Sequence, residues 1–167
     1  ELLFGDHSYK FFDSPVYVLP RSQKYVLTKN GPRQYGAVVQ DEEKIKQLGI
    51  DIESTNWVKT KYGKGSIYNT NLFTKLLCLS LVKFATLDPF GMGVEMEAGK
   101  PGWNDAMNGL PGVFGSGMSE TFELKRIIKF ILKATQNCPQ DKIGLPIEVY
   151  ELFAGVSDCL AAYYKGE

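Results

Sequence analysis

Apolar and polar positions alternate in two different rhythms along this chain, and the change of rhythm divides it. Through the first third the apolar runs are short. Val16-Tyr17-Val18-Leu19 and Lys24-Tyr25-Val26-Leu27-Thr28 read as strands, with Pro20-Arg21-Ser22-Gln23 as the turn between them. Asn30-Gly31-Pro32 punctuates again, and Arg33 to Val39 reads as a third strand, so the segment predicts a meander. Asp41 to Leu48 carries Ile45 and Leu48 at helical spacing and stops at Gly49. The polar, Gly- and Lys-containing stretch from Asp51 to Ser66 predicts a loop.

Beyond that the period becomes helical. Asn71 to Leu87 places Leu72, Leu76, Leu79, Val82 and Leu87 among further apolar residues, which predicts a helix buried on several sides. Asp88-Pro89 ends it, because proline disfavours the α conformation of the residue before it. Ser119 is a suitable N-cap for a helix running to about Thr135, with Glu120 and Glu123 near its positive end. Leu124, Ile127, Ile128 and Ile131 form its apolar face. Pro146 suits the first position of a last helix, whose stripe is Val149, Leu152, Phe153, Val156, Leu160 and Tyr163. The pattern thus predicts a mainly α chain. Residues 1–66 form a strand- and loop-rich segment, and residues 67–167 a helical one with a long loop between its helices.

Composition narrows the functional classes. With 19 Lys+Arg against 19 Asp+Glu in 167 residues, the net charge is zero and there is no global field for nucleic acid or anionic lipid. No apolar run is long enough for a membrane-spanning helix, and the polar opening is not a signal peptide. The expected partners therefore include neither nucleic acid nor membrane. Three widely spaced cysteines (Cys78, Cys138, Cys159) without a C-x-x-C pair, and a single histidine (His7), offer no zinc site. They fit reduced thiols in a cytoplasmic protein, and no metal is expected. His7 reads as a surface residue, and Lys59, Lys61 and Lys64 around Tyr62 as a solvated turn. The chain opens at Glu1 without an initiator Met and carries broad apolar helix faces, so it is expected to be part of something larger.

The chemistry-bearing stretch joins two of the predicted helices. Of the 17 glycines, eight (91, 93, 99, 102, 109, 112, 115 and 117) fall within it. A connection this long inside a compact domain is usually functional. Its apolar residues, among them Met92, Val94, Met96, Trp103, Met107, Leu110, Val113 and Phe114, argue for a fixed shape over a ligand. The polar groups are Glu95, Glu97, Lys100, Asn104, Asp105, Asn108, Ser116 and Ser119. Carboxylates and amides beside an indole suit a sugar: the ring stacks on C–H faces while Asn and Asp take paired hydroxyls. A carboxyl set among apolar side chains keeps its proton toward neutrality and so serves as a general acid. A purely structural role, with Asp105 in a turn and Trp103 in the core, is open on composition alone.

Gly102-Trp103-Asn104-Asp105-Ala106-Met107-Asn108-Gly109 resembles the Trp-Asn-Asp motif of the inverting β-glucoside phosphorylases, the cellobiose phosphorylase family. The longer run from Glu95 to Gly112, with Met118 to Arg126 and the upstream Phe11 to Pro20, is similar to the β-1,2-oligoglucan (sophorooligosaccharide) phosphorylase branch. The resemblance covers roughly Phe90 to Arg126 and is loose elsewhere. Gly102 stands where cellobiose phosphorylases usually carry Asp before the Trp, which bears on specificity and leaves the acid in place.

The resemblance implies part of an (α/α)6 barrel, with Asp105 as the general acid. Trp103 would stack on sugar, Asn104 and Asn108 would orient Asp105 or hydroxyls, and Glu95, Glu97 and Lys100 would contact substrate. No cofactor is implied: inorganic phosphate is a co-substrate, and the partners are an oligosaccharide, phosphate, and the rest of the parent chain or further copies. Phosphate attacks the anomeric carbon opposite the leaving oxygen, so one protein carboxyl suffices. Twelve helices do not fit in this length, so the implied object is a segment of a larger enzyme, inactive by itself. An inverting hydrolase on the same barrel is the alternative. It needs a second carboxyl roughly 6.5–9.5 Å from the first, which Glu95 or Glu97 offers. A non-catalytic carbohydrate-binding or structural piece is the third reading.

Overall fold

A computed structural model of the chain describes residues 2–29, 31–34, 38–48, 56–87, 93–95, 116–138 and 142–166. Two compact units emerge. One comprises Glu1–Tyr9, Thr70–Leu87 and Ser119–Glu167; the other comprises Lys10–Asn69 and Asp88–Met118. The division differs from a simple cut near residue 66, because the opening residues belong with the helices. Short strands β1 (Tyr9–Lys10) and β6 (Asn69–Thr70) lie where the chain passes from one unit to the other.

The helical unit is organised by α3 (Leu72–Ala85). Asn71 caps it: its extended backbone (φ −103°, ψ 168°) turns the side-chain oxygen to accept the Thr74 N–H at 2.9 Å. The Asn71 amide also donates to the Phe4 carbonyl at 3.3 Å, and the Phe73 N–H to the Leu3 carbonyl at 3.0 Å. The Phe4 ring lies 4.8 Å from that of Phe73, tilted by 30°. The N-terminal segment is thus seated on the first turn of α3 by two hydrogen bonds and a ring pair.

Phe73, Thr74, Ser80 and Leu81 form the buried stripe of α3, recurring at seven residues. Leu79 and Val82, expected to be covered as well, are 45% and 44% exposed on a helix that packs against α5 (Ile147–Lys165). Helix α4 (Met118–Gln136) buries Leu124 and Ile131 with Ile127 and Ile128 half-buried, the face the periodicity predicts. It begins one residue before the predicted cap. Ser119 lies inside its first turn, with the hydroxyl 3.3 Å from the Glu120 carboxylate rather than on a backbone N–H. Helix α5 starts after Pro146 and ends at Gly166, whose φ of 76° gives the left-handed stop. Its predicted stripe is buried at Val149, half-buried at Leu152 and Val156, and exposed at Phe153 and Leu160. Among the described residues no helix is long and apolar enough to cross a membrane.

The other unit is built from short antiparallel pairs. Strand β2 (Val16–Val18) leads into a one-turn helix α1 (Arg21–Lys24), where the sequence predicts a turn, and then into β3 (Tyr25–Thr28). β3 pairs with β4 (Gly31–Gln34), and β2 with β5 (Val38–Gln40), with Val18 opposite Val38. The order is nested rather than a meander: the inner hairpin brings the ends of β2 and β5 together. Helix α2 (Glu42–Leu48) follows the predicted span.

Residues 56–66, the described part of the stretch predicted as loop, pair on both sides. Val58 N–H donates to the Phe11 carbonyl at 3.0 Å and Tyr68 N–H to the Val58 carbonyl at 2.9 Å, with bridges Phe12–Trp57 and Lys59–Ile67. Aromatic contacts follow this pairing: Phe12 meets Trp57 edge-on, Phe11 stacks with Tyr68, and the Lys10 ammonium lies 5.5 Å from the Trp57 ring. β7 (Val94–Glu95) and β8 (Ser116–Gly117) form a last antiparallel pair.

Candidate functional site

The predicted acid loop enters and leaves through the β7–β8 ladder. Val94 faces Gly117 and Glu95 faces Ser116, so the last residue described before the run and the first described after it lie beside each other. Val94 is 1% exposed and anchors this stem. Gly93 before it is buried at φ 106°, a conformation that side chains rarely adopt. Trp103, Asn104, Asp105, Asn108, Glu97 and Lys100 lie outside the described residues, and Glu95 is placed by its backbone in β7. Met118, just past this segment, opens α4 and is exposed.

The other sequence-flagged groups take ordinary positions. His7 is exposed, as are Lys59, Lys61 and Lys64. The cysteines are unpaired, with Cys159 exposed and Cys78 and Cys138 half-buried. Burial pushes the Cys78 thiol above its ordinary value, partly opposed by the Lys75 charge. Hydrogen bonds from Ser8 hold the Asp6 carboxyl below its usual range. Among the described residues no group of three His, Cys, Asp or Glu side chains is arranged to hold a metal ion.

One assembly escaped the sequence reading. The start of α2 is held against the residues that lead into β2. Asp41 accepts the Lys44 N–H at 2.9 Å, while its own N–H donates to the Pro15 carbonyl at 2.8 Å. The Lys44 ammonium reaches back to the Ser14 carbonyl at 3.0 Å and forms an ion pair with Asp13. Asp13 is itself fixed by Asn56: its N–H donates to the Asn56 carbonyl at 2.8 Å, and the Asn56 side chain donates to the Asp13 carbonyl. Lys44 and Asp13 are only 33% and 25% exposed, so the pair is better shielded than a surface salt bridge.

Beside it opens a recess of about 330 Å³ bounded by Asp13, Asp41, Glu43, Lys44, Gln47 and the Tyr62 turn. That turn is unusual. Lys61 (φ 52°) and Tyr62 (φ 53°) both take the left-handed conformation ahead of Gly63 (φ 86°). The only hint in the sequence was the Lys61-Tyr62-Gly63 order, with glycine where such a turn ends.

No protein-family model, no curated protein and no solved structure matches this chain. Its functional reading rests on its own residues.

Proposed function

We propose that the chain is the acid-bearing segment of an inverting β-glucan phosphorylase, part of an (α/α)6 catalytic domain that the rest of its parent protein completes. The observation that carries this reading is the contiguous run Gly102-Trp103-Asn104-Asp105-Ala106-Met107-Asn108-Gly109. The β7–β8 ladder supports it by closing the base of the segment that holds the run, so a long glycine-rich stretch starts and ends on one spot.

Asp105 protonates the glycosidic oxygen as the bond to the anomeric carbon lengthens. Phosphate attacks the opposite face, giving α-glucose 1-phosphate and an oligosaccharide shorter by one unit. Phosphate arrives as an anion, so no second carboxylate is required to activate it. Trp103 stacks on a sugar ring, Asn104 and Asn108 orient the acid or bind hydroxyls, and Glu95, Glu97 and Lys100 contact substrate. No cofactor takes part, the setting is cytoplasmic, and the broad apolar helix faces are covered by the remainder of the parent chain or by further copies.

The test uses the full-length protein carrying this segment, incubated with β-1,2-glucooligosaccharides with and without inorganic phosphate. Glucose 1-phosphate formed only with phosphate is the expected result, and Asp105→Asn should lower the rate by about 100-fold or more. Phosphate-independent release of reducing sugar would instead establish the hydrolase, with Glu95 or Glu97 as base. Full activity in Asp105→Asn would remove the acid assignment under either chemistry.

A further inference from the structure

We propose that α5 carries a surface through which two copies of this chain pair, its outer seam laid antiparallel against the same seam of a second copy. The seam is Tyr150, Phe153, Ser157, Leu160 and Tyr164. Separations of three, four, three and four residues keep these side chains in one line along a helix, the heptad spacing of a contact between two helices. The side of α5 turned into its own unit is a different one, marked by Val149, Leu152 and Val156. All five seam residues are exposed, the four large ones by between 36% and 81%. A helix face that meets only water carries charge, as α4 does with exposed Lys125, Arg126, Lys129 and Lys133. The seam of α5 carries none, because Glu148, Glu151, Asp158 and Lys165 project from other sides of the helix.

The order of residues says what covers it. A two-fold axis requires a face that complements itself, and this one does so about Ser157. Turning the helix end for end at that point sets Tyr150 beside Tyr164, Phe153 beside Ala161, and Leu160 beside Ala154. Each large side chain between the tyrosines therefore meets a small one. Ser157 meets its own copy on the axis, where a hydroxyl both donates and accepts. The same turn brings Lys165 to the end at which the second copy carries Glu148 and Glu151. A parallel pair would instead bring those like charges to one end and set Phe153 against Phe153.

Area sets the strength. At roughly 200 Å² for a whole aromatic side chain, the four large residues leave about 400 Å² of apolar surface open per copy. That is a large apolar patch for a protein surface, and about half the ~800 Å² that each partner buries in a standard interface. The dimer is therefore weak and reversible, with a dissociation constant on the order of 100 µM.

This pairing does not rest on the phosphorylase reading, and its failure leaves Asp105-dependent phosphorolysis untouched. Analytical ultracentrifugation of the chain from about 5 to 500 µM should show a monomer giving way to a dimer. Tyr164→Glu and Tyr150→Glu should each weaken the dimer by about tenfold or more, with helical circular dichroism unchanged. Phe122→Glu, equally exposed but on α4, should leave it intact. Orientation is read by cross-linking in a Cys159→Ser background. Ser157→Cys should form an intermolecular disulfide under a mild oxidant. Tyr164→Cys should not, since antiparallel pairing holds it about 21 Å from its own copy at 1.5 Å per residue.

A monomer across the whole range, an open-ended series of larger species, or a dimer indifferent to Tyr164→Glu and Tyr150→Glu would overturn the proposal. So would cross-linking of Tyr164→Cys as fast as that of Ser157→Cys. If Tyr164→Glu unfolded the full-length protein without changing its oligomeric state, the seam would belong to a helix of the parent chain rather than to a second copy.

Discussion

Truncating Phe73 to alanine should be among the most damaging single changes in the helical unit. The side chain is 2% exposed, and its ring lies 4.8 Å from that of Phe4. Removing a buried phenyl group costs about 3–5 kcal/mol, a sum of lost transfer energy and the cavity left behind. The ring pair accounts for about 0.5–1.5 kcal/mol within that total. Against a typical domain stability of roughly 5–15 kcal/mol, the loss is a large share. Urea unfolding followed by helical circular dichroism measures it, with Leu79→Ala as the internal control. Leu79 is on the same helix but 45% exposed, so its truncation should cost less than about 1 kcal/mol. A double-mutant cycle between Phe73→Ala and Phe4→Ala should return a coupling of about 0.5–1.5 kcal/mol. Equal costs for Phe73→Ala and Leu79→Ala would refute the assignment of the core stripe. Zero coupling would refute the seating of the N-terminal segment on α3.

Two further outcomes concern the hairpin and the thiols. A Cβ at Gly65 would lie 2.1 Å from the Thr60 Oγ1 and 2.9 Å from the Thr60 carbonyl oxygen, so Gly65→Ala must spread the turn. It should cost about 1–3 kcal/mol by chemical denaturation, whereas Gly144→Ala, with open space around its Cβ, should change stability by about 0.5 kcal/mol or less. The Cys78 thiol is raised in the folded state above the ordinary 9.0, mainly by burial, so folding favours its protonated form. Its contribution to stability is complete below pH 9.0 and is lost as pH rises through the folded value. Cys78→Ser should remove that alkaline loss in pH-dependent unfolding. Alkylation mapped by mass spectrometry should modify exposed Cys159 before Cys78; the reverse order would contradict the burial of Cys78.

The long helices were legible because their signals are local. The start at Asn71, Pro146 ahead of α5 and the spacing of Leu124, Ile127, Ile128 and Ile131 in α4 each involve residues within a turn or two of one another. What pairs with what was not local. Trp57 and Lys59 sit in a polar stretch with no strand pattern, yet Val58 is bonded to Phe11 on one side and Tyr68 on the other. Backbone hydrogen bonding is indifferent to side-chain type, so a neighbour brought close by the rest of the chain can make a strand from a sequence that reads as loop. The nesting of β3–β4 within β2–β5 is the same effect. A one-turn helix at Arg21–Lys24 separates β2 from β3, and β2 finds its partner after the hairpin closes. Burial along α3 was overestimated for a related reason. An apolar side chain states what it would gain from cover but not whether cover exists, and Leu79 and Val82 are left 45% and 44% exposed.

The acid run and the polar recess beside α2 were legible to opposite degrees, and the reason is their distribution along the chain. Trp103, Asn104 and Asp105 are consecutive, so their chemistry can be read from the sequence as soon as the run is noticed. The fold adds the stem, since Val94 opposite Gly117 shows that both ends of the run's segment are secured at one place. The recess is the reverse case. Asp13, Lys44 and Tyr62 come from three separate segments, and none carries a signal by itself. Lys44 reads as one more charge on a short helix until its ammonium is found on Asp13 and the Ser14 carbonyl. Tyr62 reads as one more turn residue until its left-handed backbone and bare ring are seen together. Strain is invisible in sequence because it is a property of φ and ψ rather than of residue type. At Tyr62 that φ is what the Lys61–Lys64 hairpin turn asks of the position ahead of Gly63, a demand the sequence shows only through the glycine.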